Sequence, residues 1–102
     1  MFEVLEELIK TVRKRKNAST DESYTKKLLE DKNLCREKVM EEIQELIEAL
    51  DQQKNQIHEA ADVFYHLLAL LEANGVKAED VMQELKKRQG VSGLVEKANR
   101  QK

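Results

Sequence analysis

Apolar positions along the chain recur in helical order, and they mark out one element after another. Val4, Leu5, Leu8, Ile9 and Val12 fall on one stripe, which predicts a first amphipathic helix over about residues 2–16. Residues 17–23 are polar and read as a loop, after which Ser23 or Thr25 is placed to cap a short helical turn holding Leu28 and Leu29. Val39, Ile43, Leu46, Ile47 and Leu50 predict the core stripe of a second long helix over about residues 32–50. Residues 51–55 form the turn. A third helix follows over about residues 55–74, closed by Gly75 where a left-handed conformation is needed. Val81, Met82 and Leu85 predict a fourth over about residues 78–88, ended near Gly90, with room for one more turn in 91–100.

The third helix departs from simple amphipathicity. Between Ile57 and Leu71 only His58, Glu59, Asp62, Tyr65 and His66 are polar. Ile57, Ala61, Phe64 and Leu68 form one apolar face, and Val63 and Leu70 lie nearly opposite. A helix apolar on two sides is central to a bundle or lies across an interface between copies. Its few acidic residues therefore need a reason.

Composition narrows the class. The chain has 102 residues, no Pro and three Gly, which argues against a turn-rich β fold and for a single all-α domain over residues 1–102. The expected architecture is a four- to five-helix bundle. A chain this short has a thin core, so a homodimer is expected to complete it. The net charge of −2 excludes a generally basic nucleic-acid binder. No apolar stretch approaches the length of a membrane span, and the first residues carry no export signal. Cys35 is alone and has no internal disulfide partner. The expectation is a freestanding, soluble, cytoplasmic protein that binds neither membrane nor nucleic acid.

The near-neutral charge hides a division. Residues 1–28 carry seven basic and five acidic groups, residues 29–62 four and ten, and residues 63–102 seven and five. Within the acidic middle, Glu42 and Glu45 are three apart on the second helix, and Glu59 and Asp62 three apart on the third. Residues three apart share a helical face. An antiparallel hairpin turning near residue 52 sets Glu45 level with Glu59 and Glu42 level with Asp62, so four carboxylates converge. Held close together they repel, and a divalent cation reverses that cost. Mg²⁺ prefers carboxylate oxygens and is commonly bound together with substrate phosphates. The competing view is a solvated acidic surface, which fits Glu41 and Glu48 better than the pairs in register.

Glu41-Glu42-x-x-Glu45 followed by Glu59-x-x-Asp62 resembles the signature of the MazG-like all-α nucleotide pyrophosphohydrolases. The blocks Ser23-Tyr24-Thr25, Lys38-Val39-x-Glu41-Glu42, Glu59-Ala-Ala-Asp62-Val-Phe-Tyr65-His66 and Arg88-x-Gly90-x-Ser92-Gly93-Leu94-x-Glu96-Lys97-Ala98 resemble, more narrowly, the phosphoribosyl-ATP pyrophosphohydrolase family. The resemblance implies Mg²⁺-dependent cleavage of phosphoribosyl-ATP between its α and β phosphates, a step of histidine biosynthesis. By motif position Glu42, Glu45, Glu59 and Asp62 would hold the metal, with Glu41 orienting water. The chain departs from the family pattern at Glu30-Asp31-Lys32-Asn33, where a glycine is usual, and Ile43 replaces a more usual Ala. Two alternatives stay open: a MazG-like enzyme acting on other nucleoside triphosphates, and a non-catalytic helical dimerisation module.

The remaining candidates each have two explanations. Lys38 lies one turn before Glu42 and is placed either to meet a substrate phosphate or to pair with a neighbouring Glu. His66 follows Asp62 by one turn and is a hydrogen-bond partner in the interior or a contact to substrate. Tyr24 and Tyr65 suit either the core or stacking on a base. Arg13 and Arg15 belong to a basic run that is a solvated helix end or, on the resemblance, a phosphate contact. Arg88 and Lys97 form a second basic group that would bind substrate or lock a dimer.

Overall fold

A computed structural model describes residues 1–19, 21–90 and Lys97. Five α-helices make up the described fold: α1 Glu3–Lys14, α2 Tyr24–Glu30, α3 Lys32–Gln52, α4 Gln56–Ala73 and α5 Ala78–Arg88. A single 3-10 turn, Arg15–Asn17, extends α1, and no strand occurs among the described residues. The all-α expectation holds. The expected turn in 91–100 lies outside the described residues, apart from Lys97, which is exposed.

Local chemistry sets the ends of these helices. Glu3 and Glu6 open α1 and Arg13 and Lys14 close it, matching the helix dipole at both ends. Of the two candidate caps for α2, Ser23 is the one used: its hydroxyl accepts from the Lys26 amide at 3.2 Å. Thr25 shares a hydrogen bond with the Tyr65 hydroxyl instead. Asp31 separates α2 from α3 on its own. Its extended backbone breaks the helix, and its carboxylate accepts from the Leu34 amide at 3.0 Å. No glycine is required there, because the φ of −124° is open to any residue.

The α3–α4 connection is tighter than the sequence pattern implies. Helix α3 runs on to Gln52, and Gln53 and Asn55 both take left-handed backbone conformations. The Lys54 amide donates to the Ala49 carbonyl at 3.0 Å, which closes α3 in a Schellman-type cap without glycine. At the far end of α4, Gly75 has a φ of 72° and the Val76 amide reaches the Leu71 carbonyl at 2.9 Å. Helix α5 then folds back against α4.

The principal packing is α3 against α4, with α2 and α1 laid on α4. A small buried cluster of Val12, Leu28, Cys35 and Ala69 joins the four helices, with Leu8, Leu29, Leu34, Tyr65 and Leu70 around it. The buried side of α3 is Cys35, Val39 and Ala49, with Glu42 and Leu46 partly buried at the intervening heptad positions. On α4 the matching positions are Glu59, Asp62, His66 and Ala69. The expected core stripe of α3 is therefore rotated. Ile43, Ile47 and Leu50 are 41, 48 and 52% exposed, because the side of α3 that meets α4 carries Glu42 and Ala49 instead. The Ile57 and Phe64 face of α4 is likewise outside, at 88 and 58% exposure. No helix among the described residues is long and apolar enough to cross a membrane.

Candidate metal centre

The antiparallel register brings the predicted carboxylates together. Glu42, Glu45 and Glu59 each present an oxygen within 4.8 Å of the others. Asp62 joins Glu59 in a second such group, whose third member is His58. Glu42 also feels the charges of both Glu45 and Asp62 across the seam. All four carboxylates on the two helices thus bound one site near the turn end of the hairpin.

Electrostatics there are unfavourable without a cation. Burial pushes the Glu42 carboxyl above the usual carboxylate range, Glu45 and Asp62 add to it, and His66 offsets part of the effect. Burial and then Glu45 raise Glu59 in the same way. One oxygen of each, Glu42 Oε2 and Glu59 Oε2, is buried with no hydrogen-bond partner. A buried carboxylate oxygen left unpaired is costly, and a hard divalent cation is the ligand that such oxygens suit. The donor set fits Mg²⁺.

His58 escaped the sequence argument. Its Nε2 lies 3.4 Å from Asp62 Oδ2, and the i, i+4 spacing on one helix was the available signal. Lys54 was read only as part of a turn, yet it lines a cavity of about 230 Å³ together with Glu45, Glu48, Gln52, Asn55 and Glu59. A cation at the mouth of an acidic site is suited to an anionic ligand.

The other candidates are dispersed around this centre. Lys38 Nζ is 3.2 Å from Glu41 Oε2, a pairing that holds Lys38 above the usual lysine range. Glu41 is exposed, whereas Lys38 is half-buried and close to the charges of Tyr24 and Glu42. His66 is buried and bonds to the Asp62 carbonyl and the Tyr24 hydroxyl. Tyr24 stacks against Tyr65 with ring centroids 6.4 Å apart, and burial is the main cause of its raised pKa. Arg15 is exposed on the 3-10 turn. Arg88 pairs with Glu84 at 3.3 Å on its own helix. Arg13 is engaged elsewhere: its guanidinium forks onto Glu79 and also approaches Glu72, while Lys16 reaches Glu72 at 2.7 Å. Ser92 and Arg100 lie outside the described residues.

Comparison with known proteins shows the family. The family model described as phosphoribosyl-ATP pyrophosphohydrolase matches residues 5–89. A protein of Cereibacter sphaeroides named phosphoribosyl-ATP pyrophosphatase is 47% identical, with 95% of this chain and 97% of that protein covered. One of the same name from Neisseria meningitidis serogroup B is also 47% identical, covering 95 and 94%. A third, from Ruegeria pomeroyi, is 44% identical over 97% of both chains. No solved structure gives a significant match. Full-length identity at this level, together with the matched family pattern, means that the chain belongs to the phosphoribosyl-ATP pyrophosphohydrolase family.

Proposed function

We propose that this chain is a cytoplasmic, Mg²⁺-dependent phosphoribosyl-ATP pyrophosphohydrolase that works as a homodimer of one-domain subunits. It hydrolyses the bond between the α and β phosphates and yields phosphoribosyl-AMP and pyrophosphate. Family membership supports the reaction. The observation that carries the metal assignment is the pair of buried, unpartnered oxygens on Glu42 and Glu59 within a four-carboxylate site.

Glu42, Glu45, Glu59 and Asp62 would hold the ion. When bound, Mg²⁺ supplies positive charge against the phosphate oxygens and Lewis acidity for the attack of water on phosphorus. The protein's own groups do the rest. The site is built on two packed helices, so its carboxylates are held in place before substrate arrives. Lys38 keeps an ammonium beside Glu42, where it can pair with a phosphate oxygen, and Glu41 at 3.2 Å fixes its position. Glu41 also offers the carboxylate placed to orient water. Arg15 and Lys97 are exposed and suit the phosphoribosyl end or the departing pyrophosphate. Arg88 would reach phosphate by exchanging Glu84 for it. Arg13 is left out of this assignment, since Glu79 and Glu72 already meet its charge.

The apolar surface that α3 and α4 leave uncovered supports the homodimer. Ile43, Ile47 and Leu50 on one helix and Phe64 and Leu67 on the other are all more than 40% exposed. Large apolar side chains left in water in this number on a small protein suit an interaction surface.

The deciding experiment is pyrophosphate release from phosphoribosyl-ATP and from ordinary nucleoside triphosphates, with and without Mg²⁺. Release from phosphoribosyl-ATP alone, abolished by chelation, is expected. Glu45→Gln and Asp62→Asn should each lower it by more than the about 10- to 100-fold typical of losing a group that merely supports a ligand. If both variants keep Mg²⁺ binding and activity, the metal assignment is wrong.

A further inference from the structure

Two hydrogen bonds run from the first residue of α2 to the carboxylate site. His66 Nδ1 lies 2.8 Å from the carbonyl oxygen of Asp62, one turn earlier on α4, and its Nε2 lies 3.1 Å from the Tyr24 hydroxyl. A carbonyl oxygen only accepts, so Nδ1 carries a proton and donates to it, and Nε2 shares the second hydrogen bond with the Tyr24 hydroxyl. His66 is 6% exposed, so an unpaired ring nitrogen would be costly there. The neighbours of Tyr24 strengthen the joint. Ser23 is buried and caps α2, and Thr25 shares a hydrogen bond with Tyr65, on which the Tyr24 ring stacks.

This joint stands where it is needed. Glu42 on α3 and Asp62 on α4 lie close enough across the seam for their like charges to interact, and like charges held there oppose close packing of the two helices. Helix α2 touches both α3 and α4, and Leu28, one turn beyond Tyr24, is fully buried in the core. A chain of hydrogen bonds anchored in that core opposes separation of the two helices at this level.

We propose that Tyr24 is a positioning residue: acting through His66, it holds the turn of α4 that carries Asp62 in register with Glu42 on α3. This rests on the carboxylate site being the metal centre. Neither residue needs to touch the reacting phosphate.

Tyr24→Phe tests it, because the substitution removes one hydroxyl and keeps the ring stack. With Mn²⁺ as the probe, followed by electron paramagnetic resonance, affinity should fall about tenfold, as when a group supporting a metal ligand is lost. The kcat should fall with KM unchanged, and nitrogen-15 spectra of the wild type should show a proton on His66 Nδ1. His66→Asn keeps a donor for the Asp62 carbonyl but is too short to place an acceptor at the Nε2 position facing Tyr24, so it should match Tyr24→Phe, and the double variant should be no worse. Unchanged Mn²⁺ affinity in Tyr24→Phe, a rise in KM alone, or a His66 with no proton on Nδ1 would overturn the proposal. If the wild type itself binds no Mn²⁺, the metal assignment fails separately. The clamp is then decided by amide hydrogen exchange at residues 62–66, faster in Tyr24→Phe if it exists and unchanged if it does not.

Discussion

Arg13 on α1 forks onto Glu79 on α5, with nitrogen–oxygen distances of 2.8 and 2.9 Å. The two residues tie α1 to α5, and Glu72 on α4 also approaches the guanidinium. A planar guanidinium makes this fork and an ammonium does not. Arg13→Lys should therefore lower the thermal midpoint. Its KM for phosphoribosyl-ATP should stay within twofold of wild type. A large rise in KM without loss of stability would put Arg13 in the substrate site instead.

The same pair fixes a pH dependence. Hydrogen bonding from Arg13 holds the Glu79 carboxyl down at about 2, against an ordinary value of 4.5. Below its ordinary value the unfolded chain takes up a proton that the folded chain refuses, so folding loses ground. The stabilisation is complete above pH 4.5 and is lost as pH falls toward 2. Comparing wild type with Glu79→Gln isolates this from Glu42 and Glu59, whose raised values work in the opposite sense. The midpoint gap between the two proteins should be present at pH 7, narrow below pH 4.5 and nearly close by pH 2.

Glu42 carries the reverse linkage. Its carboxyl is raised by burial and by Glu45, so the charged form costs the folded state at pH 8. Glu42→Gln removes that charge from the seam. In the presence of a chelator the variant should melt at a higher temperature than wild type. Adding Mg²⁺ should raise the wild-type midpoint, since the ion binds only the folded site, and leave the variant unmoved. Calorimetry with and without Mg²⁺ checks both halves. A variant less stable than wild type under chelation would show that the seam carboxylate is not under strain.

How much of this was legible in the sequence differs between the site and the core. Register along a hairpin needs only the turn position and the rise per residue, so the levels of Glu42 with Asp62 and Glu45 with Glu59 could be counted. Rotation about the helix axis was harder. Hydrophobicity pointed to Val39, Ile43, Leu46, Ile47 and Leu50 as the inner side of α3; Val39 is buried and Leu46 partly so, but the other three lie outside, and Cys35 and Ala49 complete the buried side. A carboxylate at the heptad position of Glu42 breaks the apolar stripe that would have given the rotation away. Two apolar sides on one helix leave the inner one ambiguous until its partner is known. Tyr24 and His66 were legible as candidates, but their mutual bond joins residues 42 apart and no local pattern encodes it.

The misassigned stripe has its own consequence. Ile47 is 48% exposed on α3 and Phe64 58% exposed on α4, the two helices that carry the four carboxylates. Apolar area left in water contributes about 25 cal/mol per Å² when a second copy covers it, and removing that drive at the centre of the patch should separate the subunits. Ile47→Lys and Phe64→Lys each place an ammonium there without touching the Val12–Leu28–Cys35–Ala69 cluster. Wild-type protein should sediment as a dimer at micromolar concentration, and each variant as a monomer with unchanged helical circular dichroism. Activity should fall with the loss of the dimer and recover in part as protein concentration is raised. A wild type that sediments as a monomer throughout would leave these residues to some other partner and remove the homodimer.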